Sequence, residues 1–191
     1  MGETMQISAR KCDSKSHSIG RLERFFNILS VMLFLTLVFN GPAFAASFSA
    51  KVVAVVDGDT VRIQLSDTKA TVVFYGIDCP ELTQSFGAEA KKYTDEKCYG
   101  KVVSIELMGK DKMDRLLGVI TLPDGTNLNQ ELVKQGLAWW SDKYAPKDEM
   151  LKRYHSAAKT SHRGLWSASN PIPPWIFRNG EKSVGGTILS K

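Results

Sequence analysis

The sequence is poor in the residues that staple small proteins or bind transition metals. Its 191 residues include three cysteines, no two of them close, and three scattered histidines. That argues against a zinc finger and a haem-attachment motif. Neither sign of charge dominates: Lys+Arg 25 stands against Asp+Glu 20, a net +5 with a pI near 9.1. With 43% hydrophobic and 24% charged residues, a disordered, collagenous or multi-pass membrane chain is ruled out. No internal repeat is visible. The length suits one domain of about 100–200 residues plus extras.

What is present begins with an address. Arg10, Lys11, Lys15, Arg21 and Arg24 make a basic opening, followed by the apolar run Phe25 to Phe39. Its fifteen residues fall short of the roughly 18 expected of a membrane span. Asn40-Gly41-Pro42 breaks any helix, and Ala43-Phe44-Ala45 supplies small residues at the first and third places. A basic region, a short apolar region and an A-x-A site define a secretory signal peptide over residues 1–45. Cleavage after Ala45 is expected, giving a secreted or periplasmic protein without stable membrane association. An uncleaved N-terminal anchor is the alternative, and Met5 is a second possible start. Removing this segment takes away five basic and three acidic side chains, so the charge falls from +5 to +3. A modestly basic domain permits a polyanionic partner without requiring one. Cys79 and Cys98 remain and read as two free thiols.

The mature chain divides into a domain at 46–178 and a Gly/Ser-rich tail at 179–191, read as flexible. Residues 48–56 and 60–65 are β-branched runs flanking Asp57-Gly58-Asp59, a hairpin signal. A third run spans 70–77, a fourth 101–108 and a fifth 115–122. Residues 86–98 have helical spacing, Asn127 and Asp148 can cap two further helices, and Pro171, Pro173 and Pro174 argue against regular structure beyond them. Five strands and three helices, strands mostly first, predict an α+β fold: a five-stranded Greek-key β-barrel of the OB type with three α-helices.

Three acidic clusters follow these strands: Asp57-Gly58-Asp59-Thr60, Asp78-Cys79-Pro80-Glu81, and Asp111-Lys112-Met113-Asp114-Arg115. Taken singly, the first is most often a turn, the second a turn cap, and the third a solvated hairpin loop in which Arg115 pairs with Asp111 or Asp114. Trp139, Trp140, Trp166 and Trp175 read as packing, and His155 and His162 as solvated.

The ordered set DGDT, YGIDCPE, a helix, DKMDRLLGVI, NLNQELVKQGLAWW, and GLWS with PIPPW resembles the staphylococcal nuclease (thermonuclease) family over nearly all of residues 50–178. The resemblance implies an OB-type barrel with three helices that cleaves DNA and RNA using Ca²⁺. It implies that Asp59 and Asp78 are metal-ligating carboxylates, that the backbone carbonyl of Cys79 also binds the ion, and that Asp57 is an outer acidic neighbour. By the same correspondence Glu81 positions or deprotonates the attacking water, and Arg115 contacts the scissile phosphate. Lys112 and Tyr144 match positions near the bound nucleotide. These residue types suit the chemistry. Hard oxygen donors suit Ca²⁺, a carboxylate can take a proton from water, and a guanidinium grips two phosphate oxygens.

One departure is marked. The family commonly carries an arginine five residues before the second aspartate, and Val73 stands there in Thr71-Val72-Val73-Phe74-Tyr75-Gly76-Ile77-Asp78. A second phosphate clamp is thus missing from its usual place, and Arg62, Lys51 or Lys112 are candidate substitutes. Met113-Asp114 also replaces a usual aromatic-Gly pair. The expectation is therefore a monomeric, exported, Ca²⁺-dependent endonuclease whose activity is attenuated by Val73. A nuclease-derived OB module that binds nucleic acid without cleaving it is the alternative.

Overall fold

The computed structural model describes residues 47–180, and beyond them the backbone of 182–184 and 187–189. The signal-peptide reading of 1–45 lies outside the described residues, as do the side chains of the tail beyond Gly180.

Strand β1 (Ser47–Val55) turns at Asp57-Gly58-Asp59 into antiparallel β2 (Thr60–Leu65). A tight turn, with Ser66 at φ 41°, leads to β3 (Thr68–Phe74). After helix α1 (Gly87–Cys98), β5 (Val102–Lys110) pairs with β1, and β6 (Leu116–Thr121) pairs with β5 and, in parallel, with β3. The ladder closes as β1-β2-β3-β6-β5, so no barrel strand keeps an open edge. Strand alternation explains the closure: Val52, Val61, Ile63, Val72, Phe74, Val103, Ile105 and Ile120 are at most 1% exposed and fill one interior. The OB-type α+β barrel expected from the sequence is the fold.

The third apolar run ends earlier than its sequence suggests. Gly76, at φ 78°, breaks it, and Ile77–Asp78 becomes β4, which pairs outside the barrel with β7 (Trp139–Trp140). Helix α2 (Leu128–Lys134) is capped by Asn127, whose Oδ1 accepts the Gln130 N–H at 3.0 Å. Helix α3 (Glu149–Thr160) is capped by Asp148, whose Oδ1 accepts the amides of Met150 and Leu151. Buried Asn129 accepts the Ile120 amide and donates to the carbonyls of Tyr75 and Gly118, fastening the exit of β3 to β6.

Two readings need correction. The prolines do not end regular structure: Pro174 occupies the first turn of a short helix, α4 (Pro174–Arg178), where a missing N–H costs nothing and a fixed φ is already helical. His155 is not solvated. It is half-buried, its Nδ1 accepts the Trp140 amide at 3.3 Å, and its ring lies 4.9 Å from Trp166. Trp139 packs edge-on against both Trp166 and Trp175, which brings α4 against β7. The backbone of 182–184 and 187–189 forms a two-stranded hairpin, β8 (Lys182–Val184) and β9 (Thr187–Leu189).

Candidate active site

The turn after β1 is built to present Asp59. Oδ1 of Asp57 accepts the Asp59 amide at 3.1 Å, an Asx-type turn. The Thr94 hydroxyl, fully buried on α1, donates to the Gly58 carbonyl at 2.6 Å and pins the turn from below. A Cβ on Gly58 would lie 2.7–2.8 Å from the Cys79 and Ala90 side chains, so only glycine fits there. Asp59 is 8% exposed; its Oδ1 accepts the Thr60 hydroxyl and its Oδ2 the Cys79 amide.

Asp78 and Cys79 arrive from β4, the short strand created by the Gly76 turn. Glu81 sits in a loop held on itself: its amide donates to Gln84 Oε1 and its carbonyl accepts the Gln84 amide, both at 2.8 Å. Burial, then the charges of Asp57 and Asp78, push the Asp59 carboxyl well above the usual range, against the opposing hydrogen bond from Cys79. Burial also raises the Asp78 carboxyl, outweighing a guanidinium that pulls it down. The Cys79 thiol is raised by burial and then by the surrounding carboxylates, which leaves it an inert packing group.

That guanidinium belongs to Arg178, at the end of α4. Nη1 and Nη2 reach Oδ1 and Oδ2 of Asp78 at 3.1 and 2.7 Å, and Nη1 also reaches Oε1 of Glu81 at 2.7 Å. These two carboxylates raise the Arg178 pKa further. Sequence reasoning missed this residue. Its only local signal was a proline able to start a helix with an arginine four residues on.

The predicted residues therefore fall into two groups. Asp57, Asp59, Asp78, Cys79 and Glu81 converge through the bonds and charge interactions above. Arg115, Lys112 and Tyr144 make no hydrogen bond or ion pair to that group among the described residues. Arg115 is held in its own hairpin loop, with Nε 2.6 Å from Asp111 Oδ2, while its two terminal nitrogens donate to no described residue. The reading of the third cluster as a hairpin with an Asp111–Arg115 pair is right, and it leaves the fork of the guanidinium open. Arg115 precedes Leu117 by two residues, and Leu117 pairs with Val73, so Arg115 and Val73 share the outward side of the barrel. Lys112 and Tyr144 are exposed. A cavity of about 520 Å³ between Tyr75, Met108 and residues 145–150 is lined by none of the site carboxylates.

Among the described residues, no three His, Cys, Asp or Glu side chains are assembled to hold a metal ion. Asp59 and Asp78 nevertheless carry carboxylate oxygens, the donor type that a hard divalent cation takes. Both carboxylates are destabilised in their charged form. A cation, the Arg178 guanidinium, already stands on Asp78.

Barrel and site together define an OB-type domain with an acidic cluster beside its strand ends. Residues 71–168 match the model of the family described as staphylococcal nuclease homologue. The chain is 34% identical over 142 residues to an uncharacterized endonuclease of Escherichia coli, covering 74% of this chain and 92% of that one. It is 30% identical over 159 residues to a micrococcal nuclease of Shigella flexneri, covering 78% and 91%. An uncharacterized endonuclease of Haemophilus influenzae is 36% identical over 135 residues, covering 70% and 75%. The chain belongs to the staphylococcal nuclease homologue family, a family of nucleases.

Proposed function

We propose that the protein is an exported, Ca²⁺-dependent endonuclease that hydrolyses phosphodiester bonds in both DNA and RNA. The observation that supports this most directly is that Asp59, from the turn after β1, meets Asp78 and Glu81, from the segment that follows β3, with a guanidinium bonded to the last two. Asp59 and Asp78, with the carbonyl of Cys79, would hold the ion, and Asp57 shapes the turn that aims Asp59. When bound, the ion supplies Lewis-acid polarisation of the phosphate and a lowered barrier for attacking water. Glu81, half-buried at the rim, orients that water and accepts its proton. Arg115 offers its open fork to the phosphate and stabilises the charge that grows on it. Lys112 and Tyr144, both exposed, would meet the flanking nucleotide. Residues 1–45 direct export and are removed after Ala45, leaving a monomer with two buried free thiols.

Purified residues 46–191 should digest plasmid DNA and RNA with Ca²⁺ and stop with a chelator. Glu81→Gln should slow the reaction by at least about 100-fold without changing the melting temperature, as loss of a general base does. Val73 favours a second reading, a module that binds nucleic acid without cutting it. Intact oligonucleotide binding with no cleavage by the wild type would select it.

A further inference from the structure

We propose that Arg178 is a second phosphate-binding arginine of this active site, delivered from the C-terminal helix α4. The inference rests on the nuclease reading above and adds a residue to it.

Position 73 faces the outside of the barrel in a row with Thr60 and Leu117, none of which carries charge. Arg178 brings the missing fork from another direction. It reaches Asp78 through both terminal nitrogens and Glu81 through one, at 2.7–3.1 Å. Glu81 must lie next to the attacking water, and that water next to the phosphorus. A guanidinium bonded to Glu81 is therefore within a side chain's reach of the phosphate oxygens. The planar fork that fits a carboxylate also fits a phosphate, and a guanidinium sheds water more readily than an ammonium.

The fold places this arginine firmly. Pro174 is buried, Trp175 packs on Trp139 with ring centres 5.6 Å apart, and Trp139 is the ladder partner of Asp78. Gln84, which holds the Glu81 amide, also donates to the Ile172 carbonyl at 3.0 Å. The helix carrying Arg178 and the segments carrying Asp78 and Glu81 thus share their supports. The side chain of Arg178 is nonetheless 49% exposed, so it is not sealed from an entering ligand. The oxygens of Asp78 cannot serve both Arg178 and a metal ion in full. Once they are given to the ion, the guanidinium is released at the rim with an incoming phosphate as its natural partner.

Two variants test this, Arg178→Ala and Arg178→Lys, each measured for kcat and KM with Ca²⁺ and for Ca²⁺ affinity without substrate. For Ala we expect kcat to fall about 100-fold or more, the scale for losing one preorganised donor. Ca²⁺ affinity should stay the same or rise, since a competitor for Asp78 is gone. Lys restores charge but not the fork, so it should remain at least about tenfold slow. Cleavage by Arg178→Ala at or above the wild-type rate would make Arg178 a plug or latch and overturn the proposal. So would loss of Ca²⁺ binding in parallel with rate, which marks a merely structural role, or full activity in Arg178→Lys. If the wild type itself does not cleave, the nuclease reading fails first. Binding of a labelled DNA oligonucleotide in Ca²⁺ then decides on Arg178. Weakening by about tenfold in Arg178→Ala supports it, and unchanged binding overturns it.

Discussion

The Oδ2 oxygen of Asp59 accepts the backbone N–H of Cys79 at 2.5 Å. One carboxylate therefore joins the turn after β1 to strand β4, although twenty residues separate them. It also fixes the spacing between Asp59 and Asp78, the two groups assigned to the cation. The proposed cation site would ask this carboxylate for a second role, and substitution can separate the two.

Asp59→Asn keeps an oxygen acceptor for the Cys79 amide and removes the charge. In chelator near neutral pH it should be at least as stable as the wild type, because burial and the charges of Asp57 and Asp78 disfavour the carboxylate. Asp59→Ala strands the buried amide and should be less stable than Asp59→Asn by about 1–3 kcal/mol. Both should lose the rise in melting temperature that Ca²⁺ plus a nucleotide gives the wild type. Calorimetric melts with and without Ca²⁺ check this. A Ca²⁺ shift retained in both variants would remove Asp59 from the cation site.

Gly87 controls the other end of the cleft. A Cβ there would lie 1.9 Å from the Glu81 carbonyl oxygen, closer than any relaxed contact. Gly87→Ala must push the Glu81 loop away from α1, at a cost of about 1–3 kcal/mol for an overpacked site. Cleavage should drop at least about tenfold, since small misplacements of a catalytic group are costly. Ca²⁺ affinity should hardly change, because Asp59 is held by the turn after β1 and Asp78 by its pairing with Trp139. Equal losses of rate and Ca²⁺ binding would show that the damage spreads through the whole cleft.

The barrel was legible because a closed sheet with one buried face imposes strict alternation, and Val61/Ile63 and Val103/Ile105 display it plainly. The carboxylates were legible because Asp57, Asp59, Asp78 and Glu81 stand where strands end and turns begin. Arg178 was not. Its partner Asp78 lies 100 residues away, its helix has five residues, and the prolines that start the helix look like its veto. His155 was misread for a related reason. Helical spacing says which side of α3 it occupies, but not that β7 lays Trp139 and Trp140 across that side.

His155 supplies a pH dependence. Burial, and then the Lys159 charge, lowers its pKa below the ordinary value, with only weak opposition from Asp142. In the unfolded chain it takes a proton near pH 6.5. The folded protein therefore binds fewer protons than the unfolded chain below that pH. The stability held above pH 6.5 is lost as the pH falls through the lowered folded value. Protonating Nδ1 would also abolish its acceptance of the Trp140 amide. Denaturant melts from pH 7.5 down to pH 5 should show this loss, and His155→Gln should flatten it. An equal slope in the variant would assign the acid sensitivity to other groups.

Val73→Arg is the most direct test of the barrel's outward side. Val72 and Phe74 are 0% and 1% exposed, so alternation along β3 turns Val73 away from the core. An arginine there keeps its backbone pairing with Thr60 and Leu117 and carries its charge into solvent. The cost should be within about 1 kcal/mol, the span of strand preference. Cleavage should rise, because the new fork joins the side of the barrel that already carries Arg115. With Arg178 in place the gain should be several-fold. In an Arg178→Ala background it should be larger, since one of the two guanidinium places would otherwise be empty. A loss of stability of more than about 3 kcal/mol would indicate a buried, unpaired charge and would mean that position 73 faces the interior. A stable variant with no change of rate in either background would show that the phosphate does not pass over this part of the sheet.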